Sequence, residues 1–416
     1  MLSICKKLYQ LLKKLTSNSI GYFFILLNIP IAIFIILISP IYRIKVGELE
    51  MRSIGHCAMT MEIFFGELDL NIHEKKSKYI WFVNDNIGYL SRKISNKFLL
   101  KKWKEKVSIG PRFIFEPLFY IFRFLRTFGI GSNFLIPYRH WLDHSDEKPW
   151  QIVDIHNVLE KTSPQITFSA EEEEIGRSYL EKYGLEKEKY ICFYSRTSEY
   201  REDNQKSIRD SDIKTQIYGI EKLCREKNLK AVRLGYSPKT KLETNDVIVE
   251  YSNSSDRSDF LDFYLGFHCK FTVGAGGSGV LQIPMMNRKK LLAINYGDIG
   301  AMNHITNSMI PLILPKKIKD NNANEFINYS NAFRLDLMSD EMLPNNKALN
   351  FIDNNEIEIS NAIFEMNTLI EEGILINYND ILQNKFKKLF QNHYNFFPPS
   401  TKVSSFFLEN NKNLLN

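Results

Sequence analysis

One stretch, Phe271 to Asn295 (FTVGAGGSGVLQIPMMNRKKLLAIN), limits what this chain can fold into more than any other. Phe271-Thr272-Val273 is aromatic and β-branched, as strands prefer, and a turn follows at once: Gly274-Ala275-Gly276-Gly277-Ser278-Gly279. A short apolar helix and a second strand complete the unit. Glycines let a ligand approach the backbone, and the first N–H groups of a helix favour an anion. The stretch therefore predicts a phosphate cradle at the mouth of a parallel sheet. A tight turn between two buried elements fits the same letters.

The six turn residues also match G-x-G-x-x-G of dinucleotide-binding folds, with Asp298 at the distance of its acidic partner. Pro284 counts against that reading, because a proline inside the crossover helix removes a donor and clashes with the preceding turn. Ser278 to Lys290 also leaves little helix to cross a sheet.

The rest of the chain repeats the strand-then-helix alternation, which predicts α/β layers around parallel strands. Strands are expected at Tyr42 to Val46 and Tyr79 to Val83, then at Tyr190 to Tyr194, Leu229 to Leu234 and Val247 to Tyr251. Ser169 and Glu172 have capping-box spacing for a helix to Tyr183, which Gly184 stops. Further helices are expected at Ile213 to Lys227, Ser255 to Gly266, Ile357 to Ile370 and Asp380 to Phe390. Arg196 and Arg233 fall at strand ends, with Arg209 in the loop between. One such arginine is ordinarily a surface ion pair; two beside a glycine turn suit a diphosphate, which arginine grips through paired charged hydrogen bonds. Asp210-Ser211-Asp212 matches the metal-binding D-x-D, but it opens a helix, where capping is the expected task. No divalent metal is expected. His140, Trp141, Asp143 and His144 lack ligand spacing and are read as loop.

Leu15 to Tyr42 carries no charge, and Ile20 to Ile38 is almost wholly apolar, which predicts a membrane anchor with the folded part on the cytoplasmic side. Asn28 and Pro30 interrupt it, and a buried core helix fits the same run. Basic Arg92 to Lys106 and the aromatic run Arg112 to Phe128 suit an anionic membrane surface, or a buried helix beside a solvated lysine face. Gly55-His56 follows the first strand, so His56 is expected at the sheet's carboxyl edge as a base toward a hydroxyl, or as a helix-capping residue. The net charge of +6 over 416 residues does not imply nucleic acid, and five scattered cysteines without C-x-x-C spacing argue for a reducing compartment.

Tyr190 to Tyr200 (YICFYSRTSEY), Ser207 to Ile213 (SIRDSDI), Ala231 to Gly235 (AVRLG), Val249 to Cys269 and the glycine turn resemble a family of bacterial surface-polysaccharide glycosyltransferases. Asn355 to Met366 and Phe407-Leu408 continue the likeness, and Ser53-Ile54-Gly55-His56 resembles the family's R-I-G-H. The resemblance implies a GT-B-like fold: two Rossmann-like domains facing across a cleft, with the nucleotide sugar on the second. It divides the chain into 1–41 (hydrophobic membrane segment), 42–165 (acceptor domain), 166–345 (donor domain) and 346–416 (helical tail packing back on the domains). It implies Arg196, Arg209, Arg233, Asp259, Gly276, Ser278 and Gly279 as lining the donor site; Arg196 and Arg209 are then expected as catalytic beside His56, and Gly274 and Gly277 as donor-binding members of the same turn. Two departures stand out. Tyr194 and Thr197 replace the histidine and aspartate of the family's H-x-R-D, and Ile208-Arg209-Asp210 replaces its Y-R-N.

The expected function is transfer of a sugar from a nucleotide-diphosphate donor to a polysaccharide or lipid-linked acceptor, at the cytoplasmic face of the inner membrane, with no cofactor beyond the donor. A nucleotide-sugar epimerase of the same fold and a non-catalytic assembly subunit remain as alternatives.

Overall fold

The computed structural model describes residues 19–51, 53–74, 76–83, 94–136, 154, 156–197, 207–236, 240–275, 278–300, 309–338, 348–373, 378–394 and 397–416. The chain divides into two compact units, Met1–Asp143 and His144–Asn416. It is a mixed α/β protein.

In the first unit, β1 (Ile44–Leu49), β2 (Lys78–Val83) and β3 (Ser108–Ile109) form a parallel sheet in that order. Helix α1 (Ser19–Ile38) precedes β1, and α2 (Ile54–Asp69) follows it. α3 (Lys97–Lys106), capped by Asn96, and α4 (Arg112–Arg126) lie on either side of β3 in sequence. Phe82, Phe119, Phe122 and Phe134 pack with Val46, Ala32 and Ile35 in one core. Among the described residues no helix is long and apolar enough to cross a membrane. The expected N-terminal membrane segment is thus unsupported. α1 instead lays one stripe, including Asn28, Ala32 and Ile35, against the unit.

In the second unit, α5 (Ala170–Lys182) carries the expected capping box, with Ser169 and Glu172 reciprocally bonded and Gly184 left-handed beyond its end. Seven parallel strands then make one sheet in the order β13-β9-β8-β7-β4-β5-β6. They are β4 (Tyr190–Tyr194), β5 (Lys230–Arg233), β6 (Ile248–Val249), β7 (Thr272–Ala275), β8 (Leu291–Tyr296), β9 (Leu312–Pro315) and β13 (Lys402–Val403). β4 and β8 are apolar nearly throughout, as strands covered on both faces must be. The connecting helices are α6 (Lys214–Lys227), α7 (Asp259–His268) and α8 (Gly279–Met286). α7 starts later than the sequence suggests, because Ser258 caps it through Leu261 N and 251–256 is taken up by turns and bends.

Residues after β9 form a small antiparallel sheet of β10 (Lys317–Asp320), β11 (Glu325–Ile327) and β12 (Leu349–Ile352). The asparagine-rich run Asp320 to Asn324 is the hairpin turn between its first two strands. α9 (Tyr329–Arg334), α10 (Glu356–Glu372), α11 (Asp380–Tyr394) and α12 (Ser405–Asn410) follow. Asn355 and Glu358 box the start of α10, and Gly373 ends it in the left-handed conformation. The region expected as a helical tail also contributes β13 to the main sheet, so it is built into the second unit. Cys57, Cys192, Cys224 and Cys269 are buried, and none of them forms a disulfide among the described residues.

Candidate functional site

Parallel strands share one carboxyl edge, and ligands of open α/β sheets gather there. At the centre of this sheet, β7 lies between β4 and β8, with Tyr194 opposite Gly274 and Gly274 opposite Ala293. Arg196 follows β4 by two residues and Asp298 follows β8 by two, so both flank the glycine turn.

Arg196 is 8 % exposed, and its Nε stands 3.8 Å from Asp210 Oδ1. Its loop is strapped down from several directions. Ser211 N donates to Arg196 O (3.0 Å), Ser195 and Ser211 hydroxyls bond at 3.1 Å, and Gln216 Nε2 donates to Ser195 Oγ at 2.8 Å. Arg209 rises from the same loop with its Nε 3.7 Å from Asp298 Oδ2. Burial pulls the Arg209 pKa down, the Arg196 charge pulls it further, and Asp298 opposes both. The two guanidinium groups therefore share one buried neighbourhood. Asp210 and Asp298 thus supply counter-charge to the two arginines.

Burial pushes Asp298 up to about 6, against the pull of Arg209, Arg196 and Lys316. Lys316, just past β9, donates to the Asp210 carbonyl and pairs with Asp353 Oδ1 at 2.8 Å, while Asp353 Oδ2 accepts from Asp212 N. Gly297 lets the loop close: a Cβ there would lie 2.1 Å from Ile208 O. Lys316 and Asp353 were not assigned from sequence, and Asp298 was read only as the acidic partner of the dinucleotide fingerprint. Each sits alone in its segment, and only the sheet order unites them.

The glycine turn contributes less uniformly than its sequence suggests. Gly276 and Gly277 lie outside the described residues. Gly274 is a packing glycine, since a Cβ there would meet Tyr194 O at 2.5 Å and Leu281 Cδ1 at 2.7 Å. Gly279 opens α8. Ser278 precedes it at 5 % exposure, yet its hydroxyl makes no cap bond and its Oγ has no hydrogen-bond partner among the described residues. A buried hydroxyl at a helix N-terminus suits a ligand oxygen.

Arg233, expected at the donor site, is held in a buried ion pair. It is 2 % exposed, and its Nη1 donates to Glu250 Oε2 and Thr240 O, both at 2.7 Å. Asp259 occupies the first turn of α7, where a carboxylate favours the helix dipole. Near it Arg257 donates to Gly235 O and Asp262 Oδ2 and covers the Tyr236 ring at 4.6 Å, a grouping not expected from sequence. Asp210 and Asp212 bond to backbone N–H groups of Ser207 and Lys214, as loop and helix-start caps do. Among the described residues no group of three or more His, Cys, Asp or Glu could hold a metal.

In the first unit, His56 lies in the opening turn of α2, half-buried, beyond the carboxyl end of β1. Glu50, 2 % exposed, directly follows β1 on the same edge. Sequence reasoning passed over this carboxylate. The 137–153 stretch with His140, Trp141, Asp143 and His144, expected as a loop, lies outside the described residues.

No family model matches the chain, and no curated protein matches it by sequence. Among solved structures, the E. coli ADP-heptose LPS heptosyltransferase II is similar at 14% identity and a TM-score of 0.37, over 61% of this chain and 85% of that one. That likeness is loose, and the fold is defined by the seven-stranded parallel sheet itself.

Proposed function

We propose that this protein is a metal-independent glycosyltransferase of GT-B-like architecture, taking its sugar from a nucleotide-diphosphate donor held by the second unit. The observation that supports the reading is the buried pair Arg196 and Arg209, both from the connection after β4 and set beside Asp298 at the end of β8. Two such cations with the N–H groups of α8 and the Ser278 hydroxyl offer a diphosphate both charge and directed donors.

In this reaction an acceptor hydroxyl oxygen bonds to the anomeric carbon as the bond from that carbon to the diphosphate oxygen breaks. Negative charge grows on the departing nucleoside diphosphate, where Arg196 and Arg209 stabilise it. The acceptor's proton passes to a base, assigned to His56 at the first unit's sheet edge. Arg233, committed to Glu250, keeps a positioning task at the β5 end. Asp298, buried behind Arg209, is poorly placed to accept from a ribose, which favours a nucleotide sugar over a dinucleotide. The acceptor is a polysaccharide or lipid-linked saccharide, and the reaction takes place at the cytoplasmic face of the inner membrane.

Turnover with a panel of nucleotide sugars tests the reading. Arg196→Ala should lower it by about 10²–10³-fold with folding retained, as loss of one charge-stabilising donor does. Near-normal turnover in that variant would remove the arginine from the site.

A further inference from the structure

We infer that α1 and the ends of α4 form a docking face for an anionic phospholipid bilayer, with α1 lying along the membrane surface rather than through it. This stands apart from the transferase reading and needs nothing from the second unit. Phe23, Leu26, Leu27, Ile33, Phe34, Leu37 and Ile41 are all more than half exposed, Leu37 at 72 %. All but Ile41, which follows the helix end, fall on one side of α1 at its 3.6-residue period. The opposite stripe holds Asn28, Ala32 and Ile35, and Asn28 Nδ2 donates to Phe24 O (2.7 Å) and Phe113 O (3.2 Å). The polar side chain thus turns inward while the apolar ones face out. Exposed apolar faces this continuous mark an interaction surface.

α1 is pinned along the folded unit. Phe24 meets Phe113 at 6.3 Å, and α4 is tied to the sheet by Phe119 against Phe82 at 5.5 Å. α4 also carries Arg112 paired with Glu116, together with Arg123 and Arg126. Standing α1 upright in lipid would either strip it from α4 or carry those charges into hydrocarbon, where they are costly. Lying flat buries only the outer face.

Charge selects the occupant. Lys97 to Arg126 holds eight basic and two acidic residues, and Lys6, Lys7, Lys13 and Lys14 precede α1 in sequence. Anionic headgroups attract such a flank. A second copy would set like charges against each other across a symmetric contact. Tyr42, Phe113 and Phe128, exposed at the helix ends, are the aromatic types that settle at headgroup level.

The test uses the full chain with vesicles of phosphatidylcholine alone and of phosphatidylcholine with phosphatidylglycerol. The wild type should float with the anionic vesicles, and Leu26→Glu with Phe34→Glu should weaken binding by more than about ten-fold while the thermal unfolding curve stays in place. Nitroxide labels placed singly at Leu26, Phe34 and Leu37 should report one shallow depth. Equal binding by the glutamate variant, labels at graded depths across the bilayer, or self-association without vesicle binding would each overturn the inference.

Discussion

Arg209 Nε stands 3.7 Å from Asp298 Oδ2, joining a loop residue to the end of β8 across 89 positions of sequence. Burial raises Asp298 from 3.8 to about 6, above the value an unfolded chain would give it. The folded state therefore holds the extra proton between about pH 4 and pH 6. Stability from this group is fully present below pH 4 and is lost as pH rises through 6. A donor phosphate that occupies Arg209 removes the attraction favouring ionised Asp298, so donor binding and protonation support each other. Nucleotide-sugar affinity should tighten as pH falls from about 7.5 to 5.5, by up to about ten-fold per unit of further pKa rise. Asp298→Asn should flatten the profile. Asp262 is also raised to about 6 by burial, so Asp262→Asn is the control and should keep the slope. A slope of opposite sign, or one surviving in Asp298→Asn, contradicts the coupling.

Ser278→Ala removes a hydroxyl that bonds nothing among the described residues. Its melting temperature should match or exceed that of the wild type, because no buried bond is lost. Donor affinity should fall by about ten-fold, the worth of a typical hydrogen bond to a charged group. Calorimetric titration and thermal melts read the two effects separately; a stability loss without an affinity loss would assign the serine to packing.

Gly274→Ala inverts that pattern. The new Cβ would meet Tyr194 O and Leu281, so overpacking should cost about 1–3 kcal/mol in chemical denaturation. The folded fraction should bind donor normally. Unchanged stability would show that the strand and α8 relax freely.

His56→Ala should lower kcat by about 10²–10⁴-fold while donor affinity stays unchanged, as loss of a general base does. Glu50→Gln on the same edge serves as the competing substitution. If Glu50→Gln loses the alkaline-rising limb of the pH–rate profile and His56→Ala keeps it, the base is the carboxylate.

Local signals were readable in the sequence and long-range ones were not. The capping box at Ser169, the stop at Gly373, β4 and the strand–turn–helix around Ser278 all follow from residues within a few positions of each other. The Arg233–Glu250 pair was not legible because Glu250 is reached only across the β5–β6 pairing. Lys316 carried no motif and Asp298 only the spacing of a dinucleotide fingerprint, since the sheet order alone places strand ends β8 and β9 beside the Arg209 loop. Gly274 shows the limit of a glycine pattern: the same letter serves ligand approach or tight packing. In α1, hydropathy measured length without revealing that Asn28, Ala32 and Ile35 face α4. β9, only four residues long, and the small antiparallel sheet, short and of mixed composition, also escaped.

The central claim is that Arg196 and Arg209 together grip one pyrophosphate group. Calorimetric titration of inorganic pyrophosphate and a series of nucleoside diphosphates into the wild type, Arg196→Ala and Arg209→Lys tests it most directly. At least one nucleoside diphosphate should bind the wild type, and each variant should bind it more than about ten-fold more weakly, lysine included, because it lacks the planar fork. Equal affinity in all three proteins, or no binding of any diphosphate to the wild type, would contradict it.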